Sequence, residues 1–188
     1  MSLNLLCEVD QLDLAQNELL FSLETNIIAI NLFTYLSKTN TLYLQKKIIR
    51  FLNIPDNLDT KKLSDTLFEF VRIQDYDIKK LQYNFVSKEV LLKMNKKYLN
   101  HKTHTDIITF DYTSDNKLEA EFFVSFWAIN KSAEAYSQTV ENELLRVIVH
   151  GVLHCMGYND DNKAEIDNMR KMEDKFISMF HVKHNRYV

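Results

Sequence analysis

The chain has 188 residues and a formal net charge of −3, and 46% of its residues are hydrophobic and 26% charged. This balance is ordinary for a soluble globular protein that buries a core, and with only two Gly and one Pro, long flexible linkers are not expected. The net charge does not favour a protein that binds nucleic acid through a strongly basic surface overall.

Residues 1–45 carry only weak structural signals. The run from Ile27 to Tyr35 fits either a strand or a helix, because a short apolar run does not distinguish the two. It is too short to span a bilayer, and the N-terminus lacks the basic region of a signal peptide. We therefore predict an N-terminal extension of unknown role over 1–45, one domain over 46–182 and a C-terminal tail over 183–188.

From residue 48 onward, apolar residues recur at spacings that define a series of strands and helices. Alternation predicts strands, and recurrence every three to four residues predicts helices. A polar connection at 113–117 predicts a hairpin. Because strands and helices are mixed, we predict an α+β domain with a mixed four-stranded sheet and packed helices. The predicted strands are 48–54, 81–86, 106–112 and 122–126, and the predicted helices are 60–73, 88–98, 128–139, 141–156 and 164–180.

The helix predicted over 88–98 lies in a basic part of the chain. Seven lysines and one glutamate fall between residues 79 and 105. These lysines form either a solvated helix face or a surface that follows a phosphate backbone, and the sequence leaves both interpretations open. The residues expected to face inward on this helix are Val90, Leu91, Met94 and Tyr98.

The residues best suited to chemistry lie at the end of the helix predicted over 141–156. His150 and His154 are four residues apart, so they project from one face of the helix and can share one metal ion. Gly157 stands where a helix commonly ends in the left-handed conformation, and Asp160 follows this turn. Two histidines and one carboxylate make three protein ligands, the number in catalytic zinc sites that keep a fourth position for water.

Each of these residues also has a purely structural interpretation. A single histidine on an apolar helix is more often a satisfied core residue than a ligand. Asp160 has a rival in Asp161, and both are suited to a turn or to the N-terminal cap of the last helix. The complete string is more specific for a metal site than two histidines at this spacing alone.

Two neighbours of the histidines bear on the kind of chemistry. Gly151 takes the place of the Glu that serves as general base in HExxH zinc peptidases, which disfavours peptide hydrolysis. Arg146 lies one turn before His150, and we predict that it takes part in catalysis by contacting a phosphate. The alternative for Arg146 is a salt bridge with Glu143 or Glu173.

The two cysteines, Cys7 and Cys155, do not indicate a disulfide framework. They form no CxxC pair, and Cys155 lies among apolar residues of the histidine helix, where we predict a buried free thiol. This use of cysteine fits a cytosolic compartment.

The string HGVLHCMGYND from His150 to Asp160 resembles the HGxLHLxGYDH signature of the YbeY family of bacterial endoribonucleases. The segments 94–98 and 105–110 are similar to the LNxxYR…PTDVLSF block of that family, and 169–174 resembles its closing helix. The likeness covers roughly residues 46–180.

The resemblance implies an α+β fold with a metal cleft, in an endoribonuclease that cleaves single-stranded RNA and depends on a metal. The metal is usually zinc, here expected as one ion per chain, with another divalent metal as the alternative. The implied ligands are His150, His154 and Asp160. The implied role is maturation of the 3′ end of small-subunit rRNA and ribosome quality control in the cytoplasm, with rRNA and the ribosome or ribosomal proteins as partners.

The sequence departs from the family pattern at two positions that matter. Asp160 stands where the family usually has His, so we expect a retained site with an altered metal preference. Leu99 stands where the family has an arginine thought to help at the cleft, which puts cleavage itself in question. The residues predicted to bind RNA and to supply the missing positive charge are Lys96, Lys97 and Lys102, beside Arg146.

Two further hypotheses follow from these departures. Leu99 and the negative net charge favour a non-catalytic ribosome-associated factor that keeps the metal for structure. A zinc hydrolase acting on another bond, such as an amide, is the third hypothesis, and Gly151 disfavours it.

Overall fold

A computed structural model of the protein describes residues 48–55, 58–98 and 104–182. The predicted extension over 1–45, the predicted tail over 183–188, Leu99 and Lys102 lie outside the described residues. The strands are β1 (Ile49–Leu52), β2 (Asp77–Val86), β3 (Ile107–Asp111) and β4 (Lys117–Ser125), and the helices are α1 (Thr60–Ile73), α2 (Lys88–Tyr98), α3 (Phe126–Ala135), α4 (Val140–Cys155) and α5 (Lys163–Val182).

The four strands form one mixed sheet in the order β1-β2-β4-β3. β1 and β4 run parallel to β2, whereas β3 runs antiparallel to β4. The turn between β3 and β4 has Asp115 and Asn116 at its centre with φ of 51° and 56°. Two central residues with positive φ are what a two-residue hairpin turn of the I′ type requires. The predicted α+β fold, mixed four-stranded sheet and hairpin are therefore confirmed.

The core lies between one face of this sheet and the helices α1, α4 and α5. Tyr83 in β2 is fully buried and stacks on Phe51 in β1 and Phe122 in β4, with ring centroids 5.1 and 4.5 Å apart. Its hydroxyl donates a hydrogen bond of 3.3 Å to the carbonyl of Ile148 in α4. Burial, together with nearby Cys155, raises the pKa of Tyr83, so the hydroxyl stays a donor that ties α4 to the sheet.

Helix α4 approaches β3 and β4 so closely that only glycine fits at one position. A Cβ atom on Gly151 would lie 2.8 Å from the ring of Phe122 and 2.9 Å from Ile107. Position 151 therefore faces the sheet, on the side of α4 that packs into the core. A general base at this position is excluded by the packing as well as by the sequence.

Strands β2 and β4 begin earlier than the sequence predicted. The predicted strands started at 81 and 122, whereas β2 starts at 77 and β4 at 117. The parts of β2 and β4 that the sequence did not predict, 77–80 and 117–121, carry charged residues on the sheet face opposite the core. There Lys79 and Glu119 form an ion pair of 2.6 Å. Cross-strand pairing of opposite charges stabilises a strand without the apolar run that sequence reasoning looked for.

Two of the four residues predicted to face inward on α2 are exposed, so that part of the prediction was wrong. Leu91 is buried and Met94 is half-buried, but Val90 and Tyr98 are 44% and 52% exposed. The helix packs on β3 and β4 through a narrow stripe in which Asn95, one turn after Leu91, is also buried. Because only this stripe contacts the sheet, the residues on either side of it stay exposed.

The remaining points concern Cys155 and the length of the helices. Cys155 is a buried free thiol, as predicted, and burial together with Asp111 raises its pKa. Among the described residues, none of the helices has both the length and the apolar character needed to cross a bilayer.

Candidate metal centre

The last turn of α4 brings two imidazoles together. His150 and His154 are half-buried, and their Nε2 atoms lie 2.9 Å apart with the rings edge to face. The spacing of four residues produces this contact directly, because such side chains lie one above the other on a helix. The predicted pairing of the two histidines is therefore present.

The chain turns back immediately after α4. Gly157 has φ of 85°, and its amide donates to the carbonyl of His154 while the amide of Tyr158 donates to that of Leu153. These two bonds make a Schellman motif, the helix ending that a glycine at this position predicts. The turn also brings the carbonyl of Tyr158 to 2.9 Å from Nδ1 of His154, and the ring of Tyr158 packs on the core.

Asp160 completes a group of three candidate ligands. Its carboxylate oxygens lie 3.8 Å from Nε2 of His150 and 4.0 Å from Nε2 of His154. One ligand atom from each of the three residues lies within 4.8 Å of the other two. The rival Asp161 is exposed and has a different role, since its amide donates to Glu165 in the first turn of α5. The turn therefore places Asp160, and not Asp161, beside the histidines.

The buried carboxylate of Glu173 binds the Nδ1 atom of His150, on the side of the ring opposite Nε2. Glu173 in α5 is 2% exposed, and it accepts from Nδ1 of His150 at 2.9 Å, from Arg146 at 2.9 Å and from Arg170 at 3.1 Å. Burial alone would raise the pKa of Glu173, but His150 and the two arginines outweigh it and lower the pKa. Glu173 is therefore ionised, and its hydrogen bond fixes the orientation of the His150 ring.

The same contacts determine the protonation of His150. Burial lowers the pKa of an imidazole, but the hydrogen bond and charge of Glu173, with the charges of Asp106 and Asp160, outweigh it and raise the pKa of His150. The site is therefore a place where positive charge is stabilised.

The orientation of the two rings fits a divalent cation. Both Nδ1 atoms lie 2.9 Å from oxygens that can only accept, so each Nδ1 carries a proton and the Nε2 atoms of His150 and His154 face each other. Two such nitrogens at 2.9 Å are favourable neighbours only when a proton or a metal cation lies between them. Tetrahedral zinc with bonds of about 2.0–2.1 Å would separate the two nitrogens by about 3.3 Å, so a widening of a few tenths of an ångström seats the ion. Asp160 adds the oxygen ligand.

A cavity of about 330 Å³ opens beside these three residues. Both His150 and Asp160 line it, and its other walls come from α3, α4, α5 and Asp106. Ligand pockets in proteins span roughly 300–1,000 Å³, so the cavity is of the size that accepts one small group next to the candidate ligands.

The other predicted site residues lie in different surroundings. The side chain of Arg146 is 16% exposed and contacts Glu173 and Asp174 at 2.9 Å and Glu143 at 3.8 Å, so the salt bridge offered as its alternative is present. A direct contact of Arg146 with a phosphate stays a prediction. Lys96 and Lys97 are exposed at the end of α2, and their role in binding RNA also stays a prediction.

Sequence reasoning missed the residues that orient the histidines. Glu173 was considered only as a partner of Arg146, although it stands on the apolar stripe of its helix between Met169 and Phe176. A carboxylate on an otherwise apolar face is a signal of a buried polar contact. The carbonyl of Tyr158 left no signal, because any residue at that position has one.

A sequence model of the family described as endoribonuclease YbeY matches residues 51–181. The chain belongs to the YbeY family. This confirms the predicted family, and the predicted enzyme class, an endoribonuclease, agrees with it.

Relatives described as endoribonuclease YbeY share about two fifths of their aligned residues with the chain. The protein of Flavobacterium johnsoniae is 39% identical over 127 residues, which cover 67% of this chain and 91% of that protein. That of Cytophaga hutchinsonii is 41% identical over 107 residues, which cover 56% and 75%. The solution structure of TM1509 from Thermotoga maritima matches with a TM-score of 0.54 and 25% identity, covering 74% of this chain and 94% of that one.

Proposed function

We propose that this YbeY-family protein is a zinc-dependent endoribonuclease that cleaves single-stranded RNA. We further propose that it acts in the cytoplasm on the 3′ end of small-subunit rRNA and in ribosome quality control, in contact with the ribosome or its proteins. The observation that carries the metal dependence is the facing pair of Nε2 atoms of His150 and His154, with Asp160 beside them.

Each of the three proposed ligands has a definite task. With a metal bound, His150 and His154 would offer their Nε2 lone pairs, because Glu173 and the carbonyl of Tyr158 hold the Nδ1 protons on the opposite side. Asp160 would supply the third ligand atom and one negative charge to a bound ion. A divalent ion held there would lower the pKa of a bound water and polarise a phosphoryl oxygen.

The surroundings of the candidate ligands support the choice of substrate. The adjoining cavity of about 330 Å³ is of the size of one unpaired nucleotide, which supports the choice of single-stranded RNA. Lys96 and Lys97 are exposed cations suited to a phosphate backbone, and we keep them, with Lys102, as proposed RNA-binding residues.

The test is cleavage of a labelled single-stranded RNA by the purified, zinc-loaded protein, beside a duplex of the same sequence. We expect cleavage of the single strand alone, and its loss with chelator, with His154→Ala and with Asp160→Asn. Asp161→Asn is the matched control, because it makes the same change one residue from the site and should keep both zinc and activity.

Zinc content of every variant is measured in parallel. Cleavage that persists in Asp160→Asn without zinc would overturn the metal-dependent mechanism. A folded, zinc-loaded protein that binds the RNA without cutting it would favour the non-catalytic ribosome-associated factor instead.

A further inference from the structure

The cavity beside the candidate ligands contains a cation that the proposed mechanism does not use. Arg170 in α5 lines the cavity together with His150 and Asp160. Its side chain is 55% exposed and it contacts Glu173 through Nη1 at 3.1 Å. A guanidinium has five N–H donors in a fixed fork, so this contact leaves donors that point away from Glu173.

Arg146 is less suited than Arg170 to bind a ligand in this cavity. Arg146 is 16% exposed and lies between Glu143, Glu173 and Asp174. The deep carboxylate Glu143 also accepts a hydrogen bond from the hydroxyl of Ser132. The inner wall therefore has its charges paired, and among the described residues that line the cavity, Arg170 is the cation with an exposed side chain.

The remaining walls suit a flat, partly apolar group. Tyr136, just after α3, lines the cavity with its side chain 69% exposed. Ile166 and Met169 in α5 provide apolar surface on the same cavity, and Ile166 is 43% exposed. Tyr136 and Arg170 thus give one cavity an exposed aromatic ring and a cation, the two groups with which proteins bind the bases and phosphates of single-stranded nucleic acids.

We propose that this cavity is a subsite for one nucleotide of the RNA next to the scissile phosphate. In this subsite Arg170 binds a phosphate oxygen through its exposed donors, and Tyr136 stacks on the base. The proposal rests on the proposed function, since it assumes an RNA substrate at the candidate metal ligands. It assigns to Arg170 the phosphate contact that the sequence had suggested for Arg146.

The test compares Arg170→Ala and Tyr136→Ala with wild type in two assays. Binding of a short fluorescein-labelled single-stranded RNA to the zinc-loaded protein is followed by anisotropy over a series of salt concentrations, at times before measurable cleavage. Cleavage kinetics of the same RNA are then measured with the zinc-loaded protein. Zinc content and circular dichroism confirm that each variant is loaded and folded.

We expect each variant to lose about tenfold in RNA affinity and to raise KM more than it lowers kcat. Arg170→Ala should also reduce the slope of log affinity against log salt by about 0.7, the contribution of one phosphate contact on a single strand. Tyr136→Phe should keep wild-type affinity, because it retains the ring. Lys171→Ala is the matched control, since Lys171 is the exposed cation next to Arg170 in sequence and does not line the cavity.

The outcomes separate this subsite from the proposed function. A wild-type protein that cleaves RNA, with Arg170→Ala and Tyr136→Ala indistinguishable from Lys171→Ala, would overturn the subsite and leave the nuclease intact. If Arg170→Ala alters folding, Tyr136→Ala against Tyr136→Phe decides the matter, because Tyr136 is largely exposed. Wild-type RNA binding that depends on both residues, but without cleavage, would support the subsite and contradict the nuclease.

Discussion

The two candidate histidine ligands are oriented by different kinds of acceptor. His150 donates to the buried carboxylate of Glu173, whereas His154 donates to the backbone carbonyl of Tyr158. A carboxylate makes the imidazole a stronger metal ligand than a carbonyl does, because its charge increases the electron density on the ring. The carbonyl is fixed by the turn and cannot be changed by substitution, so Glu173 is the residue through which the orientation can be tested.

The first prediction concerns the substitution Glu173→Gln. Gln keeps the shape of the side chain but removes the charge that balances Arg146 and Arg170 and that favours a positive site. We expect zinc affinity to fall by about 10–100-fold, the range for partners behind metal-bound histidines. A zinc titration against a competing chelator measures it.

Asp174→Asn is the matched control for this substitution. Asp174 also pairs with Arg146 at 2.9 Å, but its side chain is 65% exposed, and none of the histidines among the described residues forms an ion pair with it. Equal zinc affinity in Glu173→Gln and Asp174→Asn would show that the contact with His150 does not matter.

At the scale of elements, features that depend on neighbouring residues were predictable from the sequence, whereas contacts between distant segments were not. Helix α1 was predicted with its observed bounds, and Asp59 caps it, because capping and apolar periodicity are properties of neighbouring residues. The facing histidines and the turn at Gly157 follow from spacing in the same way. The anchor of His150 lies 23 residues away in α5, and the strand order β1-β2-β4-β3 joins distant segments, so neither was predictable from local pattern.

The turn at the end of α4 allows a prediction about a single glycine. Gly157 has φ of 85°, and a Cβ there would meet no atom within 4 Å, so only the backbone conformation opposes a side chain. We expect Gly157→Ala to cost about 1 kcal/mol of unfolding free energy. For a chain of this length the midpoint of thermal unfolding should fall by about 2–4 °C.

Gly157→Asn is the comparison for this substitution, because Asn adopts the left-handed conformation more readily than Ala. It should lose clearly less stability than Gly157→Ala. If the two variants unfold at the same temperature, backbone conformation is not what requires glycine at this turn.

At the scale of the whole molecule, charge is distributed unevenly despite the net charge of −3. The candidate metal centre is rich in carboxylates, and Arg146 and Arg170 both pair with one of them, Glu173. Lys96 and Lys97 are exposed on α2, which packs on β3 and β4. A weakly acidic protein can therefore present a local basic surface to RNA, which its total charge conceals.

The last prediction tests this basic surface with the double substitution of Lys96 and Lys97 by Ala. Each lysine that neutralises a phosphate releases counterions, so the pair should account for about 1.4 of the slope of log affinity against log salt on single-stranded RNA. We expect weaker binding at low salt and little difference from wild type at high salt. The same double change at Lys171 and Lys175, two exposed lysines of α5, alters net charge equally and controls for it. If both double variants weaken RNA binding to the same extent, the effect belongs to net charge and not to a surface on α2.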